Sequence, residues 1–592
     1  MRIVLGPSPT GPTGTWWALP APDSEAGPAR DAGPSGEPGP GTPLAQVPYA
    51  QLAGLVDALP GRLGLTPGSV RWVLASAADE LEGWLRAGVT VDRLHDLSLA
   101  QRLLLTAATA PDSGVRHTPV VPLPVVEPAV EDPAARRGPD QDAIFDLPDA
   151  GPSTPDALTL LRELQAQDAA VAGSRHPARL RLLVAAESQG ALVAAQMRHA
   201  GLPWRRDVHE ALLTERLGPR PPEGARPARL QEVAEQVGRD LGAPGLNPDS
   251  QKDLLRALRG AGVTVDSTRQ WELQAWAARG GAEAERRAAL IAGVLEYKAL
   301  QRLWTANGWH WLDTWVREGR FHPTYLVGGV VTGRWAAHGG GAMQVPVAVR
   351  DAVRADPGAL LTVADASQVE PRILAAMAQD TALAAAAATE DLYRTVAEQG
   401  RSAGTALDDR SRAKVALLGA MYGSTTGDSA ALLPHLRRLY PAALGLLERA
   451  AATGEAGGQV STWLGRWSPP PGQAWQDAVA DRSTAEAEAR AGAQRRAAGR
   501  FTRNFVVQGT AAEWALCWMG SIRRRLRAAG LSTVLVFFVH DEVVLHGPAA
   551  EAAAVERIVR DAAGEAGRLL FGDAPVGFPL TVAQVESYAE AK

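Results

Sequence analysis

The sequence is short of cysteine, of long apolar runs and of excess positive charge, and each shortage narrows what the chain can be. A single cysteine among 592 residues, Cys517, excludes an intramolecular disulfide and a cysteine-rich zinc site. No stretch of about 18 strongly apolar residues occurs, so no membrane-spanning helix is expected. The opening Met1-Arg2-Ile3-Val4-Leu5-Gly6-Pro7 is too short in its apolar part for a secretory signal. Together these features point to the cytoplasm. The formal net charge is −5, so any nucleic-acid footprint has to be local. Internal repeats are also missing.

What is present describes an ordinary globular protein. An apolar share of 46% and a charged share of 21% allow sizeable cores, and 592 residues suffice for several domains. The abundance of Ala, Arg, Gly and Pro is read as biased codon usage. A first strand is expected at 2–5 and a second around 15–19, before a Pro/Gly/Asp-rich loop over 21–43. Residues 49–107 read as αβα, with Leu52, Leu55, Val56 and Leu59 at helical spacing and a strand at 70–75. A Pro-rich connector spans 110–156. From 157 to 320 the pattern is mostly helical: one long helix carries Leu182, Leu183, Glu187, Leu192 and Met197, and 218–227 is a breaker-rich joint. Helices are expected at 228–241, 250–260, 267–280 and 282–305.

The chemistry concentrates after residue 321. An apolar strand at 360–363 runs into Asp365, and apolar strands at 534–539 and 543–545 are interrupted by His540-Asp541-Glu542, a hairpin-like layout with three polar residues at its tip. Taken singly, a helix cap for Asp365 and a turn residue for Asp541 are the better readings. Taken together, two carboxylates beside apolar strands suit divalent cations. Phosphoryl transfer uses two such ions about 3.5–4 Å apart, bridged by carboxylates from different parts of a chain. On a helix over 410–423, Arg410, Lys414, Leu418 and Tyr422 are spaced by four and form one stripe. Two cations one turn apart can grip a triphosphate, although spacing alone favours a solvated amphipathic helix.

These segments resemble family A DNA polymerases of the bacterial polymerase I type. Asp365-Ala366-Ser367-Gln368-Val369-Glu370-Pro371-Arg372 is similar to that family's motif A. Arg410, Lys414, Leu418-Gly419 and Tyr422-Gly423 are similar to motif B, and His540-Asp541-Glu542 to motif C. Thr332-Gly333-Arg334, Gln344-Val345-Pro346, and the series Arg500, Asn504, Gln508-Gly509-Thr510-Ala511-Ala512 fit as well. So do Leu246-Asn247-Pro248 and Leu295-Glu296-Tyr297-Lys298. The resemblance covers roughly 180–592.

The resemblance implies an α+β right-hand fold of palm sheet, helical fingers and helical thumb, preceded by an α/β ribonuclease H-like exonuclease domain. The implied domains are 1–178 exonuclease-like, 179–320 thumb and connecting helices, and 321–592 palm and fingers. Asp365 and Asp541 would hold two Mg²⁺ ions, with Mn²⁺ able to substitute, and Glu542 would support them. Arg410, Lys414, Leu418, Tyr422, Glu370, Gln368 and Tyr393 would contact the nucleotide, Glu370 excluding ribonucleotides by crowding the 2′ position. Arg334, Gln344, Arg500, Asn504, Gln508 and His540 would touch DNA, mostly in the minor groove, where acceptors occur in every Watson–Crick pair. Arg496 and Arg503 share the helical face of Arg500 and Asn504 and are read equally well as solvated charges. The implied partners are primer–template DNA and deoxynucleoside triphosphates, for a monomer without membrane attachment, at the bacterial nucleoid.

Departures from the family pattern are specific. Leu418 replaces an aromatic residue against the incoming base, Ala366 replaces a tyrosine, and Tyr393 replaces a phosphate-contacting histidine. The proofreading site needs four acidic residues, two as Asp-x-Glu on the first strand, but the corresponding 16–20 region carries none. Asp79, Asp96 and Asp168 are the remaining candidates, and Leu164 stands where a tyrosine is expected. A degenerate, non-hydrolytic exonuclease-like domain is therefore expected, and the chain is too short for a separate 5′-nuclease domain. The competing readings are a catalytically weak DNA clamp and an RNA-synthesising enzyme of the same architecture.

Overall fold

The computed structural model describes residues 1–22, 41–110, 114–115, 155–280, 283–337, 345–423, 427–481 and 483–591. Most of the expected 21–43 loop and 110–156 connector, together with Gln344, lie outside the described residues. No described helix is long and apolar enough to cross a membrane. The chain forms two compact units, one of Met1–Ala200, Thr324–His338 and Thr362–Gln584, the other of Gly201–Pro323, Gly339–Leu361 and Val585–Lys592.

The first unit begins with a five-stranded sheet. Its strands are β1 (Arg2–Pro7), β2 (Thr15–Ala21), β3 (Ala45–Pro48), β4 (Arg71–Leu74) and β5 (Arg93–Asp96), in spatial order β3-β2-β1-β4-β5. Strands β1, β2 and β3 pair antiparallel, whereas β1–β4 and β4–β5 are parallel. Central β1 is buried on both faces, which is why Ile3, Val4 and Leu5 run without polar alternation. Segment 16–20, expected on the first strand of a nuclease site, instead lies on β2, and neither strand carries a carboxylate. Strand β5 escapes sequence patterning because Arg93-Leu94-His95-Asp96 shows no clear alternation.

Helices α1 (Leu97–Ala108), α2 (Ala157–Ala172) and α3 (Pro177–Ala200) pack in this layer, as do the helices Leu52–Arg62 and Ala77–Arg86. Val4, Val73, Leu97, Leu160 and Leu164 share one core cluster. Gly6 on β1 closes against α2: a Cβ there would lie 2.8 Å from Leu160 Cδ1 and 3.0 Å from Ala157 Cα.

The second sheet of this unit comprises β6 (Ala359–Ala366), β7 (Val534–Val539), β8 (Glu542–Pro548) and β9 (Leu580–Val585), in order β7-β8-β6-β9. Around it stand α4 (Val369–Ala378), α5 (Leu392–Ser402), α6 (Arg410–Tyr422), α7 (Pro441–Glu455) and α8 (Ala485–Ala528). At 44 residues, α8 is about 66 Å long. Its C-terminal half is a core helix: Trp514 stacks on Trp518 at 5.2 Å and on Phe578 at 5.0 Å. The Trp518 indole N–H donates to the Val559 carbonyl at 3.1 Å, which satisfies its buried polar atom.

Its N-terminal half meets α7 through small residues. A Cβ on Gly454 would lie 2.2 Å from Thr502 Oγ1, and one on Gly499 would lie 2.6 Å from Glu455 Cγ. The Thr502 hydroxyl donates to the Ala450 carbonyl at 2.7 Å, a bond possible only at this close approach.

The other unit is mainly helical. Helices Arg206–Leu217, Ala228–Asp240, Gln251–Gly260, Gln270–Ala277 and Ala284–Asn307 bury Leu213, Leu230, Val237, Leu258, Ile291 and Tyr297 in one core. The Tyr297 hydroxyl donates to the Asp249 carboxylate and the Lys298 ammonium to the Thr268 carbonyl, so both residues tie loops to the longest helix of this unit.

Candidate active site

Two strand ends bring Asp365 and Asp541 together. Asp365 is the penultimate residue of β6, and Asp541 lies in the two-residue turn joining β7 to β8, where Val539 pairs with Glu542. The Ala366 N–H donates to the Asp541 carbonyl at 2.9 Å, fixing the turn to the end of β6. The Tyr325 hydroxyl anchors the hairpin, donating to the Phe538 carbonyl at 2.9 Å and accepting from its N–H at 3.0 Å. His540, at φ 56°, and Gln368, at φ 59°, both adopt left-handed backbone beside these carboxylates. That conformation costs a non-glycine residue about 1–2 kcal/mol, and such strain clusters at functional sites. Glu542, read from the sequence as a tip residue, is the first residue of β8 and is buried. The strand thus resumes one residue before the apolar run does.

Glu370, in the first turn of α4, is gripped from two sides. Arg334 Nη2 donates to one carboxylate oxygen at 2.5 Å and the Tyr422 hydroxyl to the other at 2.6 Å. Burial and the Glu370 charge push the Tyr422 phenol well above its ordinary range, so it remains a donor. Arg334 is itself placed by a tight turn. Gly333 has φ 88°, and a Cβ there would lie 2.5 Å from Arg466 Nε. Arg466 pairs with buried Glu187 of α3.

A second cluster organises the cations of α6. Asp391 caps α5 through the Arg394 N–H at 3.2 Å, accepts from Gln368 Nε2 at 3.1 Å, and accepts from Arg410 Nε at 2.7 Å. The Arg410 guanidinium also lies 5.8 Å from the centre of the buried Tyr393 ring. Burial pushes the Tyr393 phenol up to about 12. Lys414, one turn on, is exposed and makes no ion pair among the described residues. Leu418 is half-buried and Tyr422 exposed. Asp391 is the organising residue that the sequence reading passed over, and its signal was an aspartate immediately before a helix. Arg372 was passed over too. It is fully buried, and its guanidinium donates to the carbonyls of Ser367, Ala387, Gly577 and Glu390, locking the start of α4.

Helix α8 presents Arg500, exposed, with half-buried Asn504 and Gln508 following at intervals of four. Arg500 lies over the left-handed Gly423 that ends α6, where a Cβ would meet its Cγ at 2.7 Å. Arg503 is structural: its Nη1 donates to the Ala420 carbonyl at 3.2 Å. Arg496 is exposed.

Two of the three candidate nuclease carboxylates are otherwise engaged. Asp96 is buried and spends one oxygen on the Leu99 N–H at 2.9 Å and the other on the Ala77 N–H at 2.8 Å, holding two helix starts. Asp168 forms a two-pronged pair with Arg2 of β1, at 2.9 and 2.7 Å. The side chain of Asp79 lies outside the described residues. Leu164 is buried in the core.

Electrostatically, the Asp365–Asp541 pair concentrates negative charge at the strand ends. Burial first, and the neighbouring Asp365 charge second, push the Asp541 carboxyl from 3.8 up to about 6. Among the described residues no group of three or more His, Cys, Asp or Glu gathers. Two carboxylates suit ions that complete their shells with water and substrate phosphates. Because folding favours uncharged Asp541, its contribution to stability is complete below about pH 4 and is lost as pH rises through about 6. In chelator-containing buffer, Asp541→Asn should therefore raise the thermal midpoint by a few degrees at pH 8. That gap should close between pH 6 and 4; a gap independent of pH would disprove the charge confrontation.

Comparison with known proteins gives this site a context. The model of DNA polymerase family A matches residues 226–583. DNA polymerase I of Chloroflexus aurantiacus is 31% identical over 267 residues, covering 41% of this chain and 27% of that protein. The thermostable DNA polymerase I of Thermus aquaticus is 28% identical over 297 residues, covering 45% of this chain and 32% of that protein. The match thus spans about a quarter to a third of the length of these curated relatives. The POL domain of Pol1 from M. smegmatis, solved in complex with DNA primer-template and dNTP, shares the fold. Its TM-score is 0.62 at 21% identity, with 92% of this chain and 89% of that chain covered. With more than half of its residues inside the family model, the chain belongs to DNA polymerase family A.

Proposed function

We propose that the chain is a DNA-directed DNA polymerase that adds deoxynucleotides to a primer 3′-hydroxyl. The observation that carries this reading is the junction of β6 with the β7–β8 turn, where Asp365 and Asp541 meet beside the Arg334–Glu370–Tyr422 cluster. Two divalent cations, Mg²⁺ by preference, would be held by these aspartates and would supply charge neutralisation on the attacking and leaving oxygens. Glu542, buried at the start of β8, would steady the turn that carries Asp541.

The α6 cations would bind the triphosphate. Arg410 is half-exposed, and an exposed ion pair of the Arg410–Asp391 kind is worth about 0–1 kcal/mol, so a phosphate can take over the guanidinium at little cost. Lys414 would supply a second charge. Gln368 and Tyr393 would shape the phosphate end of the pocket, and Leu418 would meet the base with an apolar surface. Tyr422 would lie beside the nascent pair, while Arg500, Asn504, Gln508, Gln344 and His540 would contact the duplex. Arg334 serves Glu370 first, which ties duplex contact to the sugar pocket. The complex of the M. smegmatis domain with primer-template and dNTP supports the same partners here.

The palm would be the β6–β9 sheet, the fingers α5 and α6 with their neighbours, and the thumb the helices of 206–307. The N-terminal α/β layer would be an exonuclease-like domain without hydrolysis, because Asp96 and Asp168 are committed to helix starts and to Arg2. The role we assign is gap filling in repair or replication, by a monomer at the nucleoid.

Three outcomes test these assignments. A labelled primer–template with Mg²⁺ and four deoxynucleotides should be extended by the wild type and not by Asp541→Ala. A folded wild type that binds DNA without extending it would favour the clamp reading instead. Incubation of the same primer with Mg²⁺ and no nucleotides should leave it intact, and metal-dependent shortening that persists in Asp365→Ala would refute the degenerate domain. Replacing Glu370 by Ala should raise ribonucleotide incorporation at least tenfold over the wild type. An unchanged ratio would remove the sugar gate from Glu370.

A further inference from the structure

The loop that carries Arg334 is built on a buried charge triplet. Residues 327–335 close a short hairpin in which Tyr325–Leu326 pair with Ala336–Ala337. Against this loop, the Glu187 carboxylate of α3 lies beside two guanidiniums. Arg466 pairs with it directly, and the two side chains are only 12% and 2% exposed. Arg102 of α1 is close by: its Nη2 donates to the Val327 carbonyl at 2.8 Å. A Cβ on Gly328 would lie 3.6 Å from that nitrogen and 3.2 Å from Glu187 Oε2. Burial lowers the pKa of Arg102, while the Glu187 charge opposes that and the Arg466 charge adds to it, so one carboxylate serves two cations. The loop rests on this triplet through two glycines in left-handed backbone, Gly328 at φ 59° and Gly333 at φ 88°. At Gly333 a Cβ would lie 2.5 Å from Arg466 Nε, so the backbone just before Arg334 is in contact with the cation. Arg466 is in turn fixed by α8. Its turn gives the Leu464 N–H to Glu513 at 3.0 Å and the Thr462 hydroxyl to the other oxygen of the same carboxylate. From this base Arg334 reaches Glu370, which Tyr422 holds from the other side.

We propose that Glu187 and Arg102 are positioning residues for sugar selection, acting through Arg466 and the 327–335 loop on the Arg334–Glu370 contact. The effect on sugar choice rests on the reading of Glu370 as the gate against ribonucleotides. A buried ion pair is weak evidence for stability, since packed apolar residues of the same volume often do as well. What it supplies here is one defined place for the Arg466 guanidinium, and hence for the turn that abuts it. Glu187→Gln leaves two guanidiniums beside an uncharged amide in a desolvated place, where like charges push apart. Arg466 then loses its fixed position, and the Gly333–Arg334 backbone loses the surface it rests on. Glu370 keeps the Tyr422 bond but not a fixed Arg334, and it can yield to a 2′-hydroxyl. Because the carboxylate remains, sugar choice relaxes by less than in Glu370→Ala. Through Arg102, the N-terminal α/β layer takes part in nucleotide selection without any chemistry of its own.

Two measurements on the full chain test this. Incorporation of a ribonucleotide and of the matching deoxynucleotide on one primer–template with Mg²⁺ gives a ratio of kcat/KM values, in which any loss of folded enzyme cancels. Glu187→Gln should raise the ribonucleotide share by about threefold or more. In a Glu370→Ala background the same substitution should change the ratio by less than about twofold, because the gate it acts on is gone. A wild-type ratio in Glu187→Gln, or effects that multiply in the double variant, overturns the proposal. Hydrogen exchange distinguishes that failure from failure of the gate. The Val330 and Gly333 amides, bonded to the Arg334 and Val330 carbonyls, should exchange about fivefold faster or more in Glu187→Gln without any substrate. Unchanged exchange removes the positioning role outright. Faster exchange together with a wild-type ratio in Glu370→Ala would sink the gate reading and the effect on sugar choice, while the placement of the loop stands. If Glu187→Gln does not fold, Arg102→Gln, which keeps the Arg466–Glu187 pair, decides in the same way.

Discussion

Bringing two carboxylates together in a partly desolvated place is the constraint around which the first unit is organised. Left to themselves, Asp365 and Asp541 repel, and burial adds to the penalty. They are held by backbone: a strand end, a two-residue turn with a left-handed first residue, and the hydrogen bond from Ala366 that joins them. Backbone is the right material for this task, since a peptide hydrogen bond does not titrate and is not screened by salt. The fully apolar β7 and the Tyr325 anchor give the turn a rigid base.

Around that centre, charges are graded by how readily they can change partners. Arg372 and the Arg466–Glu187 pair are buried, and their bonds go to carbonyls or to a single carboxylate, so they fix geometry. Losing one partner of such a buried pair costs several kcal/mol. Arg410 and Lys414 lie at the exposed end of the same scale, where changing partner costs little. Glu370 falls between the two, partly buried and held by a cation and a phenol. The gradient from fixed to exchangeable follows exposure.

Much of this was legible in the sequence because short motifs record local backbone demands. The strand-to-helix step at 365–372, the four-spaced stripe of 410–422 and the polar break at 540–541 are visible as patterns, and they carry the family assignment that the comparison with known polymerases gives. What the patterns did not reveal are partners distant in the chain. That Arg334 would meet Glu370, or Arg466 meet Glu187, depends on how loops return to the core, and no periodicity encodes it. The same holds for Glu542, whose burial follows from where β8 begins, and for Arg2, an unremarkable residue in sequence that becomes the partner of Asp168 once β1 and α2 lie together. Short β5 was missed because four residues with mixed polarity leave no period to read.

The close meeting of α7 and α8 bears on how this sequence can change over generations. Gly454 and Gly499 allow two backbones to approach until no room is left for another carbon atom on either. A compositional drift toward alanine and glycine is easily entered at such a contact, one small substitution at a time, each followed by a slight closing of the helices. Leaving it is harder, because a single larger residue meets the opposite backbone and the two helices would have to separate in the same step. The contact therefore admits further small residues more readily than any larger one.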